Sequence, residues 1–442
     1  MTIEFRALDY HADDRFAPAM YRFRSEGSGW AVTRDDELAL SLGEGYRPLD
    51  VLACGVCSTD LARRFLPFPL PQVIGHELVA LDENRQRVVV EINASHRARG
   101  LDIDCPFCRS GLERHCPDRL VLGIHDLPGG FGPRVLAPVH AVIPVPDAVP
   151  SETAVLVEPF AAALNAVDRL DLDGKESVAV LGPRRLGMLV VAALAARRAE
   201  RGHDFQILAL SRHAHLLDLA GELGADRGIR VEGSGDALPS ELADIVIDTT
   251  GSPTGFELAL RLARSEVHLK STHGQPSGGS RHLTELVVDE LSIVPGRAVD
   301  GAFDLRGLDA ARARREWEAL RERSPAQLPR HASVLVDSIG RVDLAIRPIE
   351  GEELSLVAPR GTIALEGTPE TAIERAVIER GLRISSSRCG DFREALTLLE
   401  AQPELQRLGE RMITHRFGAD ALPAAFEMAR RPECLKALVL HE

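Results

Sequence analysis

Val178-Ala179-Val180-Leu181-Gly182-Pro183-Arg184-Arg185-Leu186-Gly187 carries the clearest structural signal in the chain. A continuous apolar run meets a glycine, and after a short turn apolar residues resume at helical spacing through 198. An unbroken apolar strand followed at once by a helix is the pattern of a strand buried on both faces, hence of a parallel sheet. The texture continues outward. Short apolar runs at 177–181, 205–210, 244–248 and 266–269 alternate with helix-period stretches at 186–198, 213–223 and 255–263. Strictly alternating strands and helices predict a parallel sheet covered by helices.

Upstream, residues 1–165 are rich in Pro and Gly with short β-type runs such as Gln86-Arg87-Val88-Val89-Val90, which predicts an irregular β-barrel-like domain whose loops carry chemistry. Residues 166–297 form the alternating domain. Residues 298–390 read as an inserted segment, opening with a charged helix over 310–323. It echoes what precedes it: Ala243-Asp244-Ile245-Val246-Ile247-Asp248 returns as Ala332-Ser333-Val334-Leu335-Val336-Asp337, and Leu291-Ser292-Ile293-Val294-Pro295-Gly296-Arg297 as Leu382-Arg383-Ile384-Ser385-Ser386-Ser387-Arg388. A partial duplication of the late sheet units and a chance likeness between parallel strands both account for this. Residues 391–442 mix helix and strand without a linker and are expected to return to the first domain.

The balance of 52 basic and 66 acidic residues gives a net charge of −14, which argues against a nucleic-acid footprint and against anionic membrane surfaces. The longest apolar run, 188–196, is far short of the ~20 residues a membrane span requires. Met1-Thr2-Ile3-Glu4-Phe5-Arg6 lacks an export-signal pattern. Seven cysteines, several at metal-like spacings, read as ligand chemistry in a reducing compartment, so a cytoplasmic enzyme is expected.

Two constellations carry chemistry. Cys57, Thr59, His76, Glu77 and Glu158 lie in Cys54-Gly55-Val56-Cys57-Ser58-Thr59-Asp60, Gly75-His76-Glu77 and Glu158-Pro159. Thiolate, imidazole and carboxylate together are what a catalytic zinc takes while keeping one position open. Cys54 reads as a small packed residue. Further on, Cys105, Cys108 and Cys116 form C-x2-C-x7-C, with carboxylates at Asp102 and Asp104 just ahead that could add an oxygen to the three thiolates; the bland reading is a metal-free lobe of packed thiols.

At the strand-to-helix turn, Gly182 and Gly187 fill the first and third positions of a Rossmann dinucleotide fingerprint, and Arg184 holds the second. The second strand ends in Ser211-Arg212 rather than an acid, which favours the 2′-phosphate of NADP over NAD, unless both residues simply face solvent. Thr250 and Gly251, in Asp248-Thr249-Thr250-Gly251, close a later apolar strand.

Taken in this order, the motifs resemble the medium-chain dehydrogenase/reductase (zinc-dependent alcohol dehydrogenase) family, nearest its threonine, sorbitol and glucose dehydrogenase branch. The resemblance implies a GroES-like β-barrel catalytic domain plus a Rossmann doubly wound parallel sheet, with an extra inserted α/β segment. It implies Cys57 and His76 as zinc ligands and Thr59 as the hydroxyl relaying the substrate proton. Glu77 and Glu158 become the carboxylates that bind or hold the metal's water, and Thr250 and Gly251 lie near the nicotinamide ribose. A second, structural zinc would sit in the lobe at Asp102, Cys105, Cys108 and Cys116. The expected partners are a small alcohol or polyol and its carbonyl counterpart, with no nucleic acid or membrane, in a homodimer or homotetramer. The rival expectation is a cofactor-impaired, zinc-containing binding or regulatory relative in which Arg184 closes the dinucleotide site.

Overall fold

The computed structural model describes residues 1–271, 274–322, 330–351 and 355–441. The chain divides into two compact units, Met1–Ala161 with Asp391–Glu442, and Ala162–Gly390. The inserted segment therefore packs with the alternating domain rather than forming a body of its own, and the boundary falls inside the helix Val157–Asp168.

In the first unit, Thr2–Tyr10, Phe16–Glu26, Gly29–Arg34 and Glu37–Leu42 form a four-stranded antiparallel sheet of successive hairpins. The last hairpin turns through Asp35 and Asp36, both with positive φ (50° and 70°), as a two-residue loop matched to strand twist demands. A seven-stranded sheet runs Val142–Pro144, Arg87–Val90, Glu77–Leu81, Tyr46–Gly55, Lys436–Leu440, Ile413–Gly418, and Arg134–Pro138 pairs with Tyr46–Gly55 off that path. The C-terminal strand lies antiparallel on the end of Tyr46–Gly55, with Leu438 opposite Gly55. These strands alternate around a core that includes Val51, Ala53, Val79, Val89, Leu136 and Val439, all buried.

The second unit is a ten-stranded sheet. Its strands in chain order are β1 (Ser177–Leu181), β2 (Gln206–Ser211), β3 (Arg227–Arg230), β4 (Ala243–Asp248), β5 (Ala263–Leu269), β6 (Ser292–Pro295), β7 (Phe303–Asp304), β8 (His331–Val336), β9 (Val357–Leu365) and β10 (Arg383–Ser386). Across the sheet the order is β3-β2-β1-β4-β5-β10-β6-β9-β8-β7. From β3 to β10 every neighbour is parallel, β10 and β6 are antiparallel, and from β6 to β7 the strands are parallel again. Residues of β1 and β4 are almost all buried because helices cover both faces. The helix after β1, Arg185–Arg201, stops at Gly202 in the left-handed region (φ 67°). The charged helix of the insert spans Ala310–Arg321, and Arg323 lies outside the described residues. Among the described residues no helix is long and apolar enough to cross a membrane.

Candidate active site and metal centres

Strand Tyr46–Gly55 delivers Cys57 to the start of the short helix Ser58–Leu61, and Thr59 sits half-buried on that helix. Gly75, with φ 102°, precedes His76; a Cβ there would stand 2.8 Å from Phe131 Cδ2 and 2.9 Å from Cys54 Sγ, so only glycine lets the chain turn here. Ligand atoms of Cys57, His76 and Glu77 converge within 4.8 Å of one another. Glu158, half-buried in the first turn of Val157–Asp168, is not among them. Cys54 is fully buried and burial pushes its thiol pKa well up, which suits a packed residue and not a thiolate.

Two side chains that sequence reading passed over hold this group in place. One oxygen of Asp60 accepts from the Cys57 backbone N–H at 2.8 Å, and the other faces His76 Nδ1 at 3.2 Å, so a single buried carboxylate orients two of the three ligands. Burial works to lower the His76 pKa, but the Asp60 carboxylate and the Cys57 thiol outweigh it, and the net direction is upward. Lys436, on the last strand, places its Nζ on Glu77 Oε2 and 3.4 Å from the Val56 carbonyl. The other carboxylate oxygen, Glu77 Oε1, is buried with no hydrogen-bond partner among the described residues. A buried acceptor left open beside a thiol and an imidazole is the donor set a zinc ion satisfies.

Replacing Lys436 by methionine should strand the Glu77 charge. We expect a loss of about 3–5 kcal/mol of unfolding free energy in chelator-treated protein, by analogy with other broken buried pairs. The loss should shrink when zinc is present, because the metal supplies the missing counter-charge. Urea titration with and without zinc reads both numbers, and equal losses in the two states would show that Glu77 does not face the metal.

The second constellation differs from the sequence expectation. His96, Cys105, Cys108 and Cys116 are all buried with ligand atoms within 4.8 Å of one another, whereas Asp102 is exposed and outside the group. Asp104 is exposed too, paired with Arg109 at 2.8 Å. The cause is the fold of the loop: Arg99 N–H donates to the Ser95 carbonyl and Leu101 N–H to that of His96, so the chain doubles back and tucks His96 under the thiols. His96 Nδ1 stands 3.5 Å from Cys116 Sγ and 3.9 Å from Cys108 Sγ, and its Nε2 faces Asp118 Oδ2 at 3.5 Å. The pattern is H-x8-C-x2-C-x7-C, and an imidazole nine residues ahead of a C-x2-C pair was the available signal. Burial, with the neighbouring thiols, pushes the Cys116 pKa up to about 12, so three adjacent thiolates here need a cation.

In the second unit, Gly182 adopts φ 79°, and a Cβ on it would come within 2.8 Å of Thr250 Cγ2. A Cβ on Gly187 would come within 2.5 Å of Thr249 Oγ1. Thr249 Oγ1 donates to the carbonyls of Leu181 and Gly182 at 2.9 Å, locking β4 to the turn. Arg184 occupies the position before the helix at φ −127°, ψ −123°. Asp248 is buried at the end of β4, accepts from Thr250 N–H (2.9 Å) and Thr250 Oγ1 (2.7 Å), and burial raises its pKa to about 6. Thr250 and Gly251 follow, half-buried, with Gly251 at φ 60°. At the end of β2, Ser211 is buried and its Oγ accepts from the His213 N–H, while Arg212 is exposed. A cavity of about 430 Å³ is lined by Arg212, Arg230, Val231, Glu232 and Gly233. Arg230, opposite Ser211 on the adjacent strand, is a second cation there that sequence reading did not name.

Residues 44–147 match the alcohol dehydrogenase GroES-like domain. The L-threonine 3-dehydrogenase of Rhizobium etli (strain CIAT 652) is 30% identical over 232 residues, 49% of this chain and 63% of that relative. The match thus spans less than two thirds of that relative's length. Two solved structures share the fold across 99–100% of this chain and 99% of theirs: a zinc-binding dehydrogenase from Sinorhizobium meliloti 1021 bound to NADP (18% identity, TM-score 0.58) and L-idonate 5-dehydrogenase from Escherichia coli (15% identity, TM-score 0.59). The chain thus carries an alcohol dehydrogenase GroES-like segment, followed in sequence by a Rossmann-type parallel sheet, and shares its fold with dehydrogenases of known structure.

Proposed function

We propose that this protein is a zinc-dependent oxidoreductase that transfers a hydride between NADP(H) and an alcohol or polyol and its carbonyl partner. The observation that carries this reading is the convergence of Cys57, His76 and Glu77 with the open, buried Glu77 Oε1. Zinc held there supplies Lewis acidity that lowers the pKa of a substrate hydroxyl or polarises a carbonyl. The chain's own residues do the rest. Cys57 and His76 fix the metal, Asp60 orients both, and Lys436 restrains Glu77 so that one oxygen is left for the metal or its water. The Thr59 hydroxyl passes the substrate proton outward, and Glu158, in the first turn of Val157–Asp168, assists by holding the metal's water. The Gly182–Gly187 turn takes the pyrophosphate with Arg184 beside it, Thr250 and Gly251 take the nicotinamide ribose, and Arg212 with Arg230 takes the 2′-phosphate, which favours NADP over NAD. We place the enzyme in the cytoplasm, because thiols at metal spacings need a reducing compartment.

NADPH formation with a panel of alcohols, polyols, aldoses and amino alcohols tests this directly. Turnover that disappears with chelator and returns with zinc is the expected result. Failure of NADPH to bind at all would favour the binding or regulatory relative.

The lobe yields a separate expectation. Two ligand groups predict two zinc ions per chain, and His96→Ala should reduce that to one while Asp102→Ala leaves two. Elemental analysis of the purified variants decides it; a count lowered by Asp102→Ala and untouched by His96→Ala would restore the aspartate as ligand.

A further inference from the structure

Two stretches of the second unit repeat one order of elements. The first is β4, helix Pro253–Leu262, β5, helix Leu283–Val288, β6; the second is β8, helix Ile339–Ile346, β9, the helical turns over 372–379, β10. Both middle helices begin after a serine, Ser252 and Ser338. They carry matching runs, Phe256-Glu257-Leu258-Ala259-Leu260-Arg261 and Val342-Asp343-Leu344-Ala345-Ile346-Arg347. Phe256, Ala259 and Leu260 are buried in one, Val342, Ala345 and Ile346 in the other. The middle strands match as well, Arg264-Ser265-Glu266-Val267-His268-Leu269 with Arg360-Gly361-Thr362-Ile363-Ala364-Leu365.

The final strands do not stay with their own repeat. β10, the last strand of the second repeat, lies parallel on β5 of the first, with Glu266, Val267, His268 and Leu269 opposite Arg383, Ile384, Ser385 and Ser386. β6, the last strand of the first repeat, lies parallel on β9 of the second, with Thr362, Ile363, Ala364 and Leu365 opposite Ser292, Ile293, Val294 and Pro295. Aligning Glu266 with Thr362 and Ile293 with Ile384 makes the two registers identical at all four pairs. The one antiparallel pairing in the middle joins Ile293 to Ile384, which are equivalent residues, and both are fully buried. On the outer strands Ile245 faces Glu266 and Ser333 faces Thr362, so Ile245 and Ser333 are equivalent, one residue away from the strand match that the sequence echo suggests.

Antiparallel contact between equivalent residues is the signature of a two-fold axis, and trading a terminal element across that axis is how identical chains swap domains. Here both partners belong to one chain. The exchange is tied by buried polar bonds that cross between repeats: Ser386 Oγ donates to the carbonyls of Leu286 and Leu291, and Glu290 accepts from Arg360 Nε and the Arg388 N–H, each at 2.9–3.0 Å. The outer edges left over are poor docking strands. β3 is exposed and carries Arg227 and Arg230, and β7 is two residues long. Exposed large apolar side chains among the described residues of this unit are Val288 and Phe303, too little for an obligate interface.

We infer that the second unit is two copies of one strand–helix–strand–helix–strand motif that have exchanged their last strands, so that the inner sheet edge is covered from within and the chain is a monomer. This reverses the homo-oligomer expectation and stands independently of the proposed activity. Light scattering on the full chain, from low-micromolar to hundred-micromolar concentration, should return 48.0 kDa throughout; a particle of twice that mass overturns the inference. Hydrogen exchange gives a second reading. Amides of β6 and β10 should be protected to the same degree at both ends of that range. Protection that rises with concentration would mean that the strands pair between chains, and it would overturn the inference as well.

Discussion

Cys57→Ser and His76→Ala should each lower kcat/KM by at least about a thousandfold. A Lewis acid at the reacting oxygen contributes several kcal/mol, and each 1.36 kcal/mol is tenfold in rate. The zinc count should fall by one per chain, with the His96 group still loaded. The fold should persist, because the strands on either side pair through backbone bonds and apolar neighbours; Cys57 is half-buried at a helix start, and the buried His76 meets the polar Asp60 rather than the apolar core. Circular dichroism, metal analysis and steady-state kinetics on the same preparations separate loss of chemistry from loss of structure. Full activity in a metal-depleted variant would remove zinc from the mechanism.

The second large effect concerns the cofactor. Arg212→Leu should weaken NADP(H) binding about ten- to a hundredfold, since a charge-assisted bond contributes roughly 1.5–3 kcal/mol. Arg230→Leu should do the same from the adjacent strand. Because the two guanidiniums line one cavity, the double change should exceed either single change without equalling their product. NAD(H) affinity should stay within a few-fold in all three, as the 2′-phosphate is the only group it lacks. Ser211→Asp added to Arg212→Leu should swing preference further, although the Ser211 hydroxyl also caps the turn at His213 and some binding of both cofactors will be lost. Titration by fluorescence measures these constants. An unchanged NADP-to-NAD ratio across the series would mean that the phosphate lies elsewhere.

The parallel sheet, its glycine turn and the convergence of Cys57, His76 and Glu77 were legible because each rests on local pattern: strand–turn–helix texture, a tight turn that needs glycine, and motifs a few residues long; Glu158, expected with them, lies outside that group. His96 was harder to see: its imidazole ahead of the C-x2-C pair was a visible signal, but its place among the thiols depends on how the loop after it folds back. Lys436 was one of only three lysines in the chain, yet its partner is 359 residues away. Arg230 faces the cavity only because β3 pairs in register with β2. The echo at 291–297 and 382–388 was visible in the sequence, but not the exchange of strands, since parallel strands of like composition pair equally well with either neighbour until the rest of the sheet is laid down.

The closure of both sheets by late strands bears on how the chain acquires its structure as it is made. Gly55 faces Leu438, and Glu266 faces Arg383, so each unit waits for residues far downstream before its middle is complete. Such distant pairings make folding slow, because the entropy of closing long loops is spent before the contacts form. During synthesis, β5 would emerge with its inner edge bare until β10 follows, and the end of the strand leading to Cys57 would lack one of its neighbours until Lys436–Leu440 has been made. The first ligand group therefore cannot mature until that strand is in place, because Lys436 arrives with it to hold Glu77.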